Sequence, residues 1–208
     1  MKKQSINLRD TLGYIPFMAL ANLAGAVAML VFTYFVSKSN DTDLVNQYFV
    51  PFSLLLASIA VATSALITGI YFHRKLPDII PTEGNTGSKN ILTSYLRLVL
   101  PGEILRFILC SIPTKPGMMF GYRFFDGFLA LAPNYLWDMF YVIPKGRMEH
   151  IRKIGYSGTD NLVFLAFYLA YLVVILAVYF FLFKRAWQAE ETTRKNEVKL
   201  RMDPEQMK

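Results

Sequence analysis

The stretch GMMFGYRFFDGFLALAPNYLWDMFYVI, residues 117–143, has the apolar composition of a membrane-spanning helix and yet carries four polar residues. They are Arg123, Asp126, Asn134 and Asp138. A charged side chain at the centre of a bilayer costs from about 2.5 to more than about 10 kcal/mol, so such residues usually face protein or a water-filled cavity. We therefore predict a membrane span at about 119–143, with candidate functional residues on it.

The composition of the whole chain agrees with a membrane protein. Its 208 residues are 54% hydrophobic, with a mean hydropathy of +0.34, which is too apolar for an ordinary soluble domain of this length. The net charge of +7 would raise nucleic acid as a partner of a soluble protein. In a membrane protein the same excess normally faces anionic lipid headgroups, so we expect lipid contacts and no nucleic-acid partner.

Three other apolar runs are long enough to cross about 30 Å of hydrocarbon at 1.5 Å per residue. They cover residues 15–36, 49–72 and 162–183. Together with 119–143 they predict an all-α, polytopic membrane protein whose four spans lie within residues 15–183. Residues 1–14 form a short basic N-terminus, and residues 184–208 form a charged tail.

Small residues recur at four-residue spacing in the first two spans. Ala21 and Gly25 lie in the first, and Ala60, Ser64 and Thr68 lie in the second. Small residues at this spacing let two helix backbones approach closely in a membrane. We expect the first two spans to pack on each other as a hairpin.

Residues 91–112 are apolar but carry Arg97, Glu103 and Arg106 near the middle, and Pro101-Gly102 interrupts them. Glu103 and Arg106 are three residues apart, a spacing that allows an ion pair on one face of a helix. A lipid-facing span does not carry these charges easily. We predict a broken amphipathic helix that lies in the cytoplasmic interface or enters the membrane as a re-entrant hairpin.

The distribution of Lys and Arg favours four spans over five. With four spans and residues 91–116 on the inside, 16 basic residues are cytoplasmic and 5 are outside. With five spans the division is 10 to 9, and the positive-inside rule favours the first arrangement. We therefore expect both termini in the cytoplasm and an integral protein of a plasma membrane.

The reactive residue types do not form a catalytic or metal-binding pattern. Cys110 is the single cysteine, and His73 and His150 are far apart in the sequence. A zinc or hydrolase motif needs paired His or Cys ligands or a placed nucleophile, and neither is present. We expect no enzyme activity, no metal and no cofactor.

Asp126, Gly127 and Ala130 resemble the opening of the CDP-alcohol phosphotransferase motif, DGxxAR. Leu131 stands where that motif has arginine, and the later acidic residues are not at the spacing of that family. The partial motif therefore does not predict that activity.

The candidate site is the set of polar residues within 91–112 and 117–143. It consists of Arg97, Glu103, Arg106, Arg123, Asp126, Asn134 and Asp138. If these side chains pair internally, they serve the fold, and the protein is a non-catalytic accessory or assembly subunit of a larger membrane complex. If they line a polar path, the protein is a small oligomeric transporter or channel. In either case the expected partner is another membrane protein or a second copy of the chain.

Overall fold

The computed structural model describes residues 8–38, 49–79, 88–111, 133, 136–142, 144–146 and 157–202. These residues form four long α-helices and a five-residue π-helix, Asp138–Val142. The long helices are α1 Leu8–Lys38, α2 Phe49–Ile79, α3 Ser88–Ser111 and α4 Gly158–Met202. The prediction of an all-α protein is confirmed for this part of the chain.

Three of the four helices are long and apolar enough to cross a membrane. The candidate spans are Leu8–Phe32 in α1, Leu54–Asp78 in α2 and Gly158–Glu197 in α4, and an 18-residue window within them has a mean hydropathy of 2.1, 2.0 and 2.6, respectively. They overlap the predicted spans 15–36, 49–72 and 162–183. Apolar side chains such as Leu66 and Val173 are about two-thirds exposed on the outside of the helices. A surface of this kind suits lipid better than water, and the three helices indicate a membrane protein.

The small-residue faces of α1 and α2 form a close antiparallel seam. A Cβ atom added at Gly25 would lie 2.6 Å from the carbonyl oxygen of Ala60 and 2.7 Å from Oγ of Ser64. The hydroxyl of Ser64 donates a hydrogen bond of 3.0 Å to the carbonyl oxygen of Ala21. The predicted hairpin packing is therefore present.

α3 runs parallel to α1 along its length. Arg97, Gly102 and Arg106 contact Thr11, Tyr14 and Asn22, in this order. The contacts advance together along both helices, which places α3 beside α1 in the bundle and not across its end.

The predicted break at Pro101-Gly102 is wrong, because α3 is continuous from Ser88 to Ser111. Proline at position 101 cannot donate the helical hydrogen bond to the carbonyl oxygen of Arg97. The hydroxyl of Thr11 donates to that oxygen instead, at 3.1 Å. Gly102 lacks the Cβ that would lie 3.1 Å from the ring of Tyr14. Both features that suggested a break therefore allow the contact between α3 and α1: Pro101 leaves the carbonyl oxygen of Arg97 for Thr11, and Gly102 leaves room for Tyr14.

One aromatic layer joins all four helices and fixes their directions. The ring of Phe72 lies 6.5 Å from that of Tyr14 and 5.2 Å from that of Phe183, and the ring of Tyr95 lies 5.6 Å from that of Phe183. The start of α1, the end of α2, the first half of α3 and the later part of α4 thus share one end of the bundle. We call it the basic end, after its exposed residues Arg9, Arg74, Lys75, Lys184 and Arg185.

α4 continues as a helix into the predicted tail, 184–208, and ends at Met202. Two ion pairs at four-residue spacing support this charged extension, Glu190 with Arg194 and Glu191 with Lys195. Arg194 also donates a hydrogen bond of 2.6 Å to the carbonyl oxygen of Pro77, in the last turn of α2. The extension is therefore tied to the bundle at the basic end.

At the opposite end, the π-helix packs between α3 and α4. Trp137, Tyr141 and Val142 are buried against Cys110 and Phe164. Most of the predicted span 119–143 lies outside the described residues, including Arg123, Asp126 and Asn134. Its described part is a short element at this end of the bundle.

Candidate functional site

Glu103 and Arg106 form an ion pair inside the bundle. Nη2 of Arg106 lies 2.6 Å from Oε2 of Glu103, and both side chains have no exposed surface. Their three-residue spacing on α3 turns both side chains to the same face, toward α1 and α4. A buried ion pair is tolerated only when its remaining hydrogen-bonding groups also find partners.

α1 supplies polar partners for both charges. The carbonyl oxygen of the Asn22 side chain accepts a hydrogen bond of 2.6 Å from Nη1 of Arg106. The amide nitrogen of Asn22 donates to the carbonyl oxygen of Met18 at 2.8 Å, which fixes the orientation of the amide. The hydroxyl of Tyr14 lies 3.4 Å from Oε1 of Glu103, in a long hydrogen bond.

α4 covers the guanidinium group with aromatic rings. Cζ of Arg106 lies 5.6 Å from the centre of the Tyr171 ring and 6.0 Å from that of Tyr168. Phe107 stacks on Tyr168 with 5.2 Å between ring centres. A cation against an aromatic face gains about 0.5–2 kcal/mol, with the larger value when water is excluded. The buried charge therefore has a favourable environment on both sides.

Two buried tyrosine hydroxyls on α3 and α4 behave differently. Tyr95 donates a hydrogen bond of 2.7 Å to the carbonyl oxygen of Leu176. The hydroxyl of Tyr168 is buried, and among the described residues it has no hydrogen-bond partner. A buried polar atom of this kind needs an explanation, and an ordered water is the usual one.

The structure brings together two of the seven predicted site residues, Glu103 and Arg106. Arg97 lies on the exposed outer face of α3, and its backbone carbonyl oxygen accepts a hydrogen bond from Thr11 of α1. Arg123, Asp126 and Asn134 lie outside the described residues. Asp138 begins the π-helix, but its side chain is also outside the described part. The functional importance of the seven residues stays a prediction.

Sequence reasoning missed Asn22 and Tyr14, which complete the cluster from α1. Asn22 stands within the apolar run 15–36. A polar amide in such a run costs free energy unless it is hydrogen-bonded. That cost was the available signal that Asn22 faces a polar partner.

A second polar cluster joins the π-helix to the start of α4. Asp160 is fully buried and accepts hydrogen bonds from the backbone N–H of Ser157 at 2.9 Å and from its hydroxyl at 2.7 Å. The Asp160 N–H donates back to Oγ of Ser157 at 3.2 Å, which forms a helix-capping arrangement. The hydroxyl of Tyr141 also donates to Asp160, at 3.1 Å. The carboxylate of Asp160 is thus used to hold two elements together.

The described residues hold no group of three or more His, Cys, Asp or Glu side chains that could bind a metal ion. The chemical capacity visible in the bundle is charge neutralisation and hydrogen bonding between helices.

No protein-family model, curated protein or solved structure matches this chain. Its class follows from the helices and the buried site. The described residues form an all-helical bundle that contains a neutralised ion pair, and three of its helices are long and apolar enough to cross a membrane.

Proposed function

We propose that all four long helices cross the bilayer and that α3 makes the third crossing. α3 has 24 residues and is about 36 Å long, which exceeds a hydrocarbon thickness of about 30 Å. It lies beside α1, which is one of the three apolar helices. Glu103 and Arg106 neutralise each other in the C-terminal half of α3. This pairing reduces the main electrostatic cost of placing α3 in a membrane.

This crossing changes the place of the third span. Cys110 near the end of α3 and Phe164 near the start of α4 belong to one cluster, so the chain leaves α3 and enters α4 at the same end of the bundle. A segment that begins and ends on one side crosses an even number of times. A single span at 119–143 does not fit this arrangement.

We further propose that the protein is a non-catalytic accessory or assembly subunit of a larger membrane complex. The observation that carries this proposal is the complete burial of Glu103 and Arg106 with partners from their own chain. Charges that are paired and buried in this way stabilise a packing arrangement and are not exposed to a passing solute. The basic end is the cytoplasmic side in this proposal, because most Lys and Arg residues outside the helices' interior lie there. A plasma membrane is the proposed location.

Native purification tests the subunit role. The chain carries a small C-terminal epitope at its native expression level, and membranes are solubilised in digitonin. We expect a particle much larger than the 23.8 kDa chain, with a reproducible set of membrane proteins that an unrelated epitope-tagged membrane protein does not retain. Recovery of the chain alone as a monomer contradicts the proposal.

A small transporter or channel is the second candidate, with a polar path lined by residues of 97–138. The buried hydroxyl of Tyr168 near Arg106 favours it, because among the described residues this polar group has no hydrogen-bond partner inside the bundle. Reconstitution into liposomes separates the two functions. A subunit leaves ion and proton permeability at the level of empty vesicles. A path gives a measurable flux that Tyr168→Phe changes while the unfolding temperature stays the same.

A further inference from the structure

A groove runs along the outer face of α3, on the side away from the ion pair. Its volume is about 530 Å³, and it is wide open to the surroundings. The described residues that line it are Thr93, Leu96, Arg97, Leu100, Pro101 and Ile104. Apart from Arg97 and Thr93 these described lining residues are apolar, so this part of the groove is an apolar surface that carries one cation.

Contacts with α1 indicate how deep in the bilayer the groove lies. The carbonyl oxygen of Arg97 is bonded by Thr11, which follows the charged residues Arg9 and Asp10 at the start of α1. Arg97 therefore lies at the level of the first turn of α1. Ile104 is seven residues further along α3, or about 10 Å further from the basic end, because α3 and α1 both run away from that end. The long side chain of Arg97 can extend toward the headgroups at the basic end, because helical side chains lean toward the N-terminus and a charged group keeps its head in the polar layer. The apolar part of the groove extends toward the bilayer interior.

The charge of Arg97 is available to a ligand from outside the bundle. Its side chain is exposed, and among the described residues it forms no ion pair. The carboxylate closest along α3, Glu103, is buried on the other face and is bound to Arg106. Arg97 lies at the same end of the bundle as the exposed cations of the basic end, and these cations add to the positive potential around it.

We propose that this groove binds one glycerophospholipid with an anionic headgroup. The headgroup phosphate lies on the guanidinium of Arg97, and an acyl chain lies along Leu100, Pro101 and Ile104. Arginine suits this ligand because its planar N–H groups can donate two parallel hydrogen bonds to phosphate oxygens. A partner helix would need an acidic residue at this depth and an apolar ridge below it, whereas an anionic lipid supplies both features by its ordinary structure. The inference rests on the proposed crossing by α3 and does not depend on the subunit role.

Native mass spectrometry of the detergent-purified chain tests the proposal, with added phosphatidylglycerol or phosphatidylcholine of identical acyl chains. We expect one phosphatidylglycerol to be retained in preference to phosphatidylcholine. Arg97→Gln should reduce that retention about fivefold, because one Lys or Arg near an anionic lipid surface contributes about a factor of this size. Arg74→Gln is the matched control, since Arg74 is exposed at the same end but does not line the groove. Ile104→Trp, which fills the apolar part of the groove, should also reduce retention.

Equal retention by the parent, Arg97→Gln and Ile104→Trp overturns the proposal. So does a result in which Arg97→Gln releases a bound polypeptide and leaves lipid retention unchanged, because the groove is then a protein interface. The crossing is checked separately by labelling Ile104→Cys in a Cys110→Ala background with a membrane-impermeant maleimide. Labelling in intact vesicles from either side would refute the crossing itself, whereas protection from label with no lipid preference would refute the lipid site alone.

Discussion

The hydroxyl of Thr11 donates a hydrogen bond to the carbonyl oxygen of Arg97, the same oxygen that Pro101 leaves without a helical donor. A proline inside a helix removes one backbone bond and often bends or ends the helix. In membrane helices Ser or Thr side chains can satisfy the freed carbonyl. Thr11 does this from a neighbouring helix, so the same bond keeps α3 continuous and holds it to α1.

The first prediction concerns this bond. Thr11→Val keeps the shape of the side chain but removes the donor, so we expect a loss of about 1 kcal/mol in the free energy of unfolding. Pro101→Ala supplies a backbone N–H that can donate to the Arg97 carbonyl within α3. In the Pro101→Ala background, Thr11→Val should therefore cost much less. Thermal unfolding in detergent measures all four variants, and equal costs in both backgrounds would contradict the account.

The second prediction concerns the buried ion pair. Glu103→Leu leaves Arg106 as an uncompensated charge, and Arg106→Met does the same to Glu103. Each single change should destabilise by about 3–5 kcal/mol, while the double change should cost clearly less than the sum. Accumulation and unfolding temperature in detergent are the measurements. If the losses of stability in the two single variants add up to the loss in the double variant, the two residues do not act as a unit. That result would contradict the structural role of the ion pair.

The helical class and the hairpin of α1 and α2 were predictable, because both depend on local patterns. Apolar length predicted the helices, and small residues at Gly25 and Ser64 predicted the close seam. The continuity of α3 was not predictable from its own residues. Pro101 indicates a break when α3 is considered alone, and the donor that prevents it, Thr11, lies 86 residues before Arg97 in the chain.

The buried site was only half predictable for the same reason. Three-residue spacing predicted that Glu103 could pair with Arg106. It could not show which face of α3 would be buried, and Arg97, with the same kind of charge, turned out to lie on the exposed face. The partners Asn22 and Tyr168 come from other helices, and their placement depends on the packing of the whole bundle.

The third prediction compares two glycines of α1. Gly25→Ala places a Cβ 2.6 Å from the backbone oxygen of Ala60, so α1 and α2 must move apart, at an expected cost of about 1–3 kcal/mol. Gly13→Ala is the control, because a Cβ there meets nothing within 4 Å. It should be neutral or stabilising by up to about 1 kcal/mol, since alanine favours the helix more than glycine does.

Unfolding temperatures of the two glycine variants in the same detergent are the measurement. A Gly25→Ala protein as stable as Gly13→Ala would mean that the α1–α2 seam is looser than the described contacts indicate.

The last prediction is topological. If α3 crosses the bilayer, a reporter fused after Ser111 lies on the side opposite to one fused after Phe183, because α3 and α4 run in opposite directions. In a bacterial host we expect alkaline phosphatase activity from the Ser111 fusion and green fluorescence from the Phe183 fusion. A helix lying in the cytoplasmic interface would instead give fluorescence at both positions. A fusion after Ile79 is the control, since it should match the Phe183 fusion in either case, and phosphatase activity there would invalidate the orientation of the whole bundle.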